Sequence, residues 1–252
     1  MKPLKGKHIL ITRDERQNER WAAELAALGA IPHSLPLIQC VTRNLTPALS
    51  ETFAHLHQFA WVVFTSANGV RAFFDLYKGQ PFTAKVAAVG PKTAQLLEDQ
   101  GLHCEFIPSE YTGEALAKEL VPLLAPRSDV LVVKGQLAKR TVYDILSSSD
   151  RQVTVTEMIV YDTICPAGAG EQAKRLEQKT FDYVTLTSTS AAVHYANVAP
   201  AAGIRAETIA CIGPITARAA KQCGLSPLVT ASEYTVKGLI DTILNDIGGM
   251  KR

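Results

Sequence analysis

Serine, threonine and glycine recur in this chain at matched positions directly after apolar runs. WVVFTS at 61–66 is echoed by YVTLTS at 183–188, VAAVGPKTA at 86–94 by IACIGPITA at 209–217, and SEYT at 109–112 by SEYT at 232–235. The offsets are 188 − 66 = 122, 217 − 94 = 123 and 235 − 112 = 123, a constant spacing with one inserted residue, which marks a duplication. The chemistry these residue types offer is hydrogen-bond donation. Ser66, Thr93, Thr112, Ser188, Thr216 and Thr235 bring hydroxyls without bulk. Gly90 and Gly213 let a backbone approach closely. Positions just past parallel strands are where an α/β sheet holds its ligand. Any single one of these hydroxyls is more simply a helix N-cap, contributing about 1 kcal/mol. The functional reading rests on their duplication.

The elements that must position these residues follow from the apolar pattern. His8 to Thr12 is a short apolar run, as in a strand covered on both faces. A helix is expected over roughly 16–28, with Trp21, Leu25 and Leu28 on one face and Gly29 as its stop. Pro32 and Pro36 make 30–41 edge-like extended chain. Thr46 and Pro47 open a helix over 46–58. Strands are expected at 61–64, 86–89, 104–107 and 129–133, and extended chain at 153–161. Helices are expected from 67 to 77, from Gly90-Pro91 to Gly101, from Thr112 to Leu124 and over 137–146, before the second copy runs from about 172 to 247. Alternating strands and helices predict parallel sheets with right-handed crossovers. HILITR at 8–13 matches VLVVKG at 130–135 with the same offset of 122, so the repeat extends into the first quarter.

Composition excludes several classes. The net charge of +2 does not argue for nucleic acid, and no apolar run approaches the roughly 20 residues of a membrane helix. The start, MKPLKGKHILITR, enters a strand without a signal-type apolar region, which predicts a cytoplasmic protein. Cys40, Cys104, Cys165, Cys211 and Cys223 have no CxxC spacing and are expected to be reduced and buried. His55 and His57 face different ways, His194 is expected on a helix surface, and Trp21 and Trp61 in the core. No GxGxxG or GxxxxGK[ST] is present, which weakens a nucleotide-binding reading.

The motifs ILITR at 9–13, VVFTSANGV at 62–70, AVGPKTAQLL at 88–97, VYDT at 160–163, LTSTSAAV at 186–193 and IGPITARAA at 212–220 resemble, in order and across the chain, those of the uroporphyrinogen-III synthase family. The resemblance implies two flavodoxin-like α/β lobes with parallel sheets, joined by a two-stranded antiparallel linker, with the substrate between them. One lobe would take 1–37 and 164–252, the other 42–158, with 38–41 and 159–163 as the linker. It implies cyclisation of hydroxymethylbilane, a linear tetrapyrrole polycarboxylate, to uroporphyrinogen III, with loss of water and inversion of the last pyrrole ring. No cofactor, metal, nucleic acid or membrane is called for. A monomer is expected, and the sequence leaves open a transient contact with the preceding pathway enzyme.

An anionic substrate suits the strand-to-helix turns at Thr12, Thr65-Ser66-Ala67, Gly90, Thr112, Lys134-Gly135, Thr187-Ser188, Gly213 and Thr235, because helix-terminal N–H groups favour carboxylates by geometry and by dipole. Arg13 and Lys134 stand at repeat-equivalent strand ends, one residue apart in the match, and would supply the formal charges. Tyr161, in the VYDT match, is the candidate proton donor. The competing expectations are a packing role for Tyr161 and ordinary surface charges for Arg13 and Lys134. The rival function is a two-lobed cytoplasmic binding protein for an anionic small molecule, without catalysis.

Overall fold

In the computed structural model, residues 2–249 are described. Strands and helices alternate: β1 His8–Ile11, α1 Glu15–Ala27, β2 Ile31–Ser34, β3 Gln39–Thr42, α2 Pro47–Ala54, β4 Trp61–Phe64, α3 Ala67–Leu76, β5 Lys85–Ala88, α4 Pro91–Glu98, α5 Gly113–Leu120, β6 Asp129–Gly135, α6 Thr141–Ser147, β7 Thr154–Ile164, α7 Ala169–Lys174, β8 Thr180–Leu186, α8 Thr189–Val198, β9 Arg205–Cys211, α9 Pro214–Gln222, β10 Leu228–Thr230 and α10 Val236–Gly249. The chain divides into two compact units. Unit 1 is Met1–Gln39 with Ile164–Arg252, and unit 2 is Cys40–Thr163.

Unit 1 is built on a five-stranded sheet in the order β10-β9-β8-β1-β2, unit 2 on one in the order β3-β7-β6-β4-β5. Parallel pairing joins β1 to β2 and β8, β8 to β9, and β9 to β10. It likewise joins β4 to β5 and β6, and β6 to β7. Side chains along a strand alternate between faces, so a continuous apolar run feeds two cores at once. In β1, Leu10 packs with Phe181 and Val184 on one face, while Ile9 and Ile11 pack with Trp21, Leu25 and Leu239 on the other. In β4, Val62 and Phe64 join Leu131 and Val133, whereas Trp61 and Val63 join Leu116, Val130 and Val132. Phe64 and Phe181 are fully buried, and truncating either to Ala would cost about 3–5 kcal/mol.

Pro32 lies in β2, an edge strand, where its missing N–H costs no ladder bond. The end of the extended segment 30–41 begins β3, which also sits at a sheet edge, and the extended chain expected at 153–161 forms β7, flanked by β3 and β6.

Two expected elements are corrected. Cys104–Ile107 does not form a strand: it contributes an isolated bridge between Phe106 and Ala87, and Pro108 prevents the run from extending. The helix expected over 137–146 begins only at Thr141, because 135–138 is a turn closed by Ala138 N–H to the Gly135 carbonyl at 3.1 Å.

The cysteines are also corrected. Cys211 is buried, Cys40 is exposed, and the other three are intermediate. His194 is not a simple surface residue, since its Nδ1 lies 2.6 Å from the Leu37 carbonyl.

Candidate active site

In each sheet the chain winds outward one way, then reverses. In unit 1 the reversal falls between β1 and β8, in unit 2 between β4 and β6. Open α/β sheets hold ligands outside the carboxyl ends of the strands at such a switch point. Thr12 and Arg13 follow β1, and Thr187 and Ser188 follow β8; Thr65 and Ser66 follow β4, and Lys134 and Gly135 end β6.

The duplicated hydroxyls are first of all helix caps. Ser66 Oγ accepts from Gly69 N–H at 3.0 Å and Ser188 Oγ from Ala191 N–H at 3.1 Å. Thr112 Oγ1 accepts from Ala115 N–H at 3.1 Å and Thr235 Oγ1 from Gly238 N–H at 3.0 Å. Each cap uses the oxygen as acceptor, which leaves the hydroxyl proton to give. Thr12 and Thr65 differ. Thr12 Oγ1 donates to the Thr185 carbonyl at 2.6 Å and Thr65 Oγ1 to the Val133 carbonyl at 3.0 Å, so both hydroxyl protons are already committed between strands. Thr93 and Thr216 sit in the first turns of α4 and α9 with little exposure.

Gly90 and Gly213 are extended, at φ 178° and −179°, so glycine is not required there for a left-handed backbone. The protein's own tyrosines already approach both glycines closely. A Cβ at Gly90 would lie 3.2 Å from the Tyr111 side chain, and one at Gly213 would lie 3.0 Å from Tyr234.

Unit 2 gathers Thr65, Ser66, Lys134 and Tyr161 on one cavity of about 380 Å³, together with Glu157 and Thr141. The phenol oxygen of Tyr161 lies 3.2 Å from Ser66 Oγ. Burial pushes the Tyr161 pKa up; the Ser66 contact opposes that, and the Cys40 thiol adds to it. The phenol is therefore held as the protonated acid. Gly135 also has a packing role that was not expected. It pairs across the sheet with Tyr161, and the phenol ring occupies the space a side chain at 135 would need.

Lys134 is not a surface charge. It is 4% exposed and its ammonium lies 2.7 Å from Glu157 Oε1. Glu157 escaped sequence reasoning, being 23 residues away on the neighbouring strand. Arg13 is half-buried; its guanidinium donates to Gln17, lies 6.0 Å from the Trp21 ring centroid, and has its pKa depressed by burial against the opposing pull of Asp14. Asn18 was also missed. Fully buried, it accepts from Arg13 N–H at 2.9 Å and donates to Ser34 Oγ at 2.8 Å, tying the β1–α1 turn to β2.

These features define a two-unit α/β protein whose switch points carry capped helix starts and, in unit 2, a cavity with a phenol and a buried ammonium. The family model described as uroporphyrinogen-III synthase HemD matches residues 19–241. The chain belongs to the uroporphyrinogen-III synthase family. It is 29% identical over 255 residues to a porphyrin biosynthesis protein HemD of Ruminiclostridium josui, covering 98% of this chain and 50% of that protein, so the chain spans half the length of that relative. It is 28% identical over 251 residues to a uroporphyrinogen-III synthase of Synechococcus elongatus, covering 94% of each chain. Its fold is similar to that of uroporphyrinogen-III synthetase from Helicobacter pylori, with TM-score 0.65 and 17% identity, covering 95% of this chain and 99% of that one. A mutant uroporphyrinogen III synthase of Thermus thermophilus gives TM-score 0.61 with 18% identity, covering 97% of this chain and 100% of that one.

Proposed function

We propose that the protein cyclises hydroxymethylbilane to uroporphyrinogen III, with loss of water and inversion of the last pyrrole ring. The observation that carries this reading is the family match over 19–241, which includes the switch-point residues of β4, β6 and β8. The substrate's own pyrrole nitrogen can expel the hydroxyl group and leave an electrophilic azafulvene, so the protein's work is to hold a productive fold, exclude water and supply one proton. The departing hydroxide takes up that proton and leaves as water. Tyr161, protonated and hydrogen-bonded to Ser66, is the donor in this reading. Carboxylates of the substrate are met by the turns at Ser66-Ala67, Gly90, Thr112, Ser188, Gly213 and Thr235, by Thr93 and Thr216, and by the charges of Arg13 and Lys134.

The finer architecture belongs to the same reading. Each unit is taken as a flavodoxin-like copy in an internal repeat of about 122 residues, with lobes 1–37 plus 164–252 and 42–158 and the linker strands 38–41 and 159–163 running antiparallel. Matched caps at Ser66 and Ser188, and at Thr112 and Thr235, support the repeat. The division at Gln39/Cys40 and Thr163/Ile164 supports the boundaries.

Purified protein given freshly generated hydroxymethylbilane, without added metal or nucleotide, should yield mainly the type III isomer after oxidation and separation. A product made up of type I alone, as in a protein-free control, would leave the binding-protein reading standing and remove the enzyme.

A further inference from the structure

The cavity of unit 2 holds charge that proton donation does not use. Lys134 has three N–H bonds to give. One goes to Glu157 Oε1 at 2.7 Å and one to the Lys139 carbonyl at 3.3 Å, which leaves a third, and Lys134 borders the cavity. Glu157 is shared, its Oε2 lying 3.3 Å from Arg140 Nε. Lys134 and Arg140 thus share a single carboxylate and Lys139 also lines the cavity, while the other acidic side chain on the cavity, Glu114, is paired with Lys118 at 2.6 Å. The wall's own two lysines and two glutamates balance, and the pairing of those glutamates with Arg140 and Lys118 tips the local charge positive.

Strand register explains how the pair forms. Glu157 lies opposite Val132, two residues before Lys134 and so on the same face of the sheet. A buried ion pair is weak support for stability, because desolvation offsets the attraction. Its effect here is geometric. A lysine stem has many rotamers, and an ammonium that must meet a ligand in one place gains from a fixed partner.

We infer that this wall is a subsite for one carboxylate of the ligand, and that Glu157 is a positioning residue that holds the Lys134 ammonium toward it. The inference rests on the proposed activity for the identity of the ligand, an acetate or propionate arm of a tetrapyrrole.

The test is equilibrium binding of uroporphyrinogen III, measured by calorimetry under anaerobic reducing conditions, with turnover followed separately. Lys134→Met should weaken binding roughly ten- to a hundredfold, the range for losing a hydrogen bond to a charged group. Glu157→Ala should weaken it comparably, and Glu157→Gln, whose amide oxygen still accepts from Lys134, should bind close to wild type. Glu157→Ala should add nothing in the Lys134→Met background, since both remove one contact. A purely structural pair would lower the melting temperature of every variant without producing this order. Wild-type affinity in Lys134→Met, which leaves Glu157 paired with Arg140, overturns the inference even if Glu157→Ala fails to fold. So does a wild-type protein that does not bind the probe. A wild type that binds but makes no type III isomer refutes the activity and leaves the subsite to be judged by the binding series.

Discussion

The phenol of Tyr161 is seated on Gly135: a Cβ at 135 would fall 2.7 Å from the tyrosine oxygen and still closer to its ring. The two residues are register partners across β6 and β7, and Gln136 N–H donates to the Tyr161 carbonyl at 3.0 Å. Backbone and side chain of Tyr161 are therefore both fixed by the same turn.

Gly135→Ala should displace the ring without unfolding unit 2. Overpacking of this kind costs about 1–3 kcal/mol, and the single-turnover rate should fall at least as far as in Tyr161→Phe. Gly168→Ala, where an added Cβ meets nothing within 4 Å, is the control. Normal turnover in Gly135→Ala would show that the position of the phenol does not matter.

Tyr161→Phe and Thr216→Ala weigh acid catalysis against positioning. If the pyrrole nitrogen does most of the expulsion, water can replace the phenol, and Tyr161→Phe keeps measurable type III synthesis. Loss of the Thr216 hydroxyl from a substrate carboxylate should cost about 1.5–3 kcal/mol, or roughly ten- to a hundredfold. The comparison requires single-turnover rates with circular dichroism to confirm folding. An inert but folded Tyr161→Phe beside a wild-type-like Thr216→Ala would make acid catalysis the main term.

The pH profile provides a separate check on Tyr161. Its pKa is raised by burial above the ordinary phenol range near 10. As a proton donor it should therefore stay competent throughout the neutral and mildly alkaline range. An alkaline limb in kcat/KM below about pH 9 that vanishes in Tyr161→Phe would contradict this placement.

His33 should give unit 1 an acid-sensitive stability. Its ring stacks on His8 at 5.2 Å, and its pKa is lowered by burial, then by Lys179 and His8. A histidine with a depressed folded pKa contributes stability that is present above about pH 6.5 and is lost as pH falls through the folded value. The nearby Asp182, whose pKa is also lowered, titrates in a more acidic window. His33→Gln should flatten the fall in melting temperature between pH 7 and pH 5. An unchanged fall would assign it to other groups.

Much of this was legible in the sequence because local signals and tertiary needs agree. The apolar runs at 8–12, 61–64 and 129–133 became strands buried on both faces, and Pro32 marked an edge. Ser66, Thr112, Ser188 and Thr235 were found because caps have a fixed local grammar. The pairs Lys134–Glu157 and Gly135–Tyr161 were not legible, since strand register brings them together and no spacing along the chain encodes it. Nor was the consumption of the Thr12 and Thr65 hydroxyls, whose acceptors are carbonyls on neighbouring strands.

Unit 2 is inserted within unit 1, and this sets an order of events during synthesis. Strand β1 pairs with β8, so the first sheet to be started cannot gain its second neighbour to β1 until Leu186 has left the ribosome, nor be completed until Thr230 has. Every strand of the second sheet lies between Gln39 and Ile164, and its two chain ends meet where Cys40 Sγ stands 3.9 Å from Thr163 Oγ1. The usual rule that the N-terminal unit folds first should therefore be inverted. The nascent chain carries an unpartnered β1–α1–β2 segment, with apolar faces on both sides of β1, through the synthesis of an entire folded unit. Substitutions in β1 should consequently impair yield during translation more than they impair refolding of the complete chain.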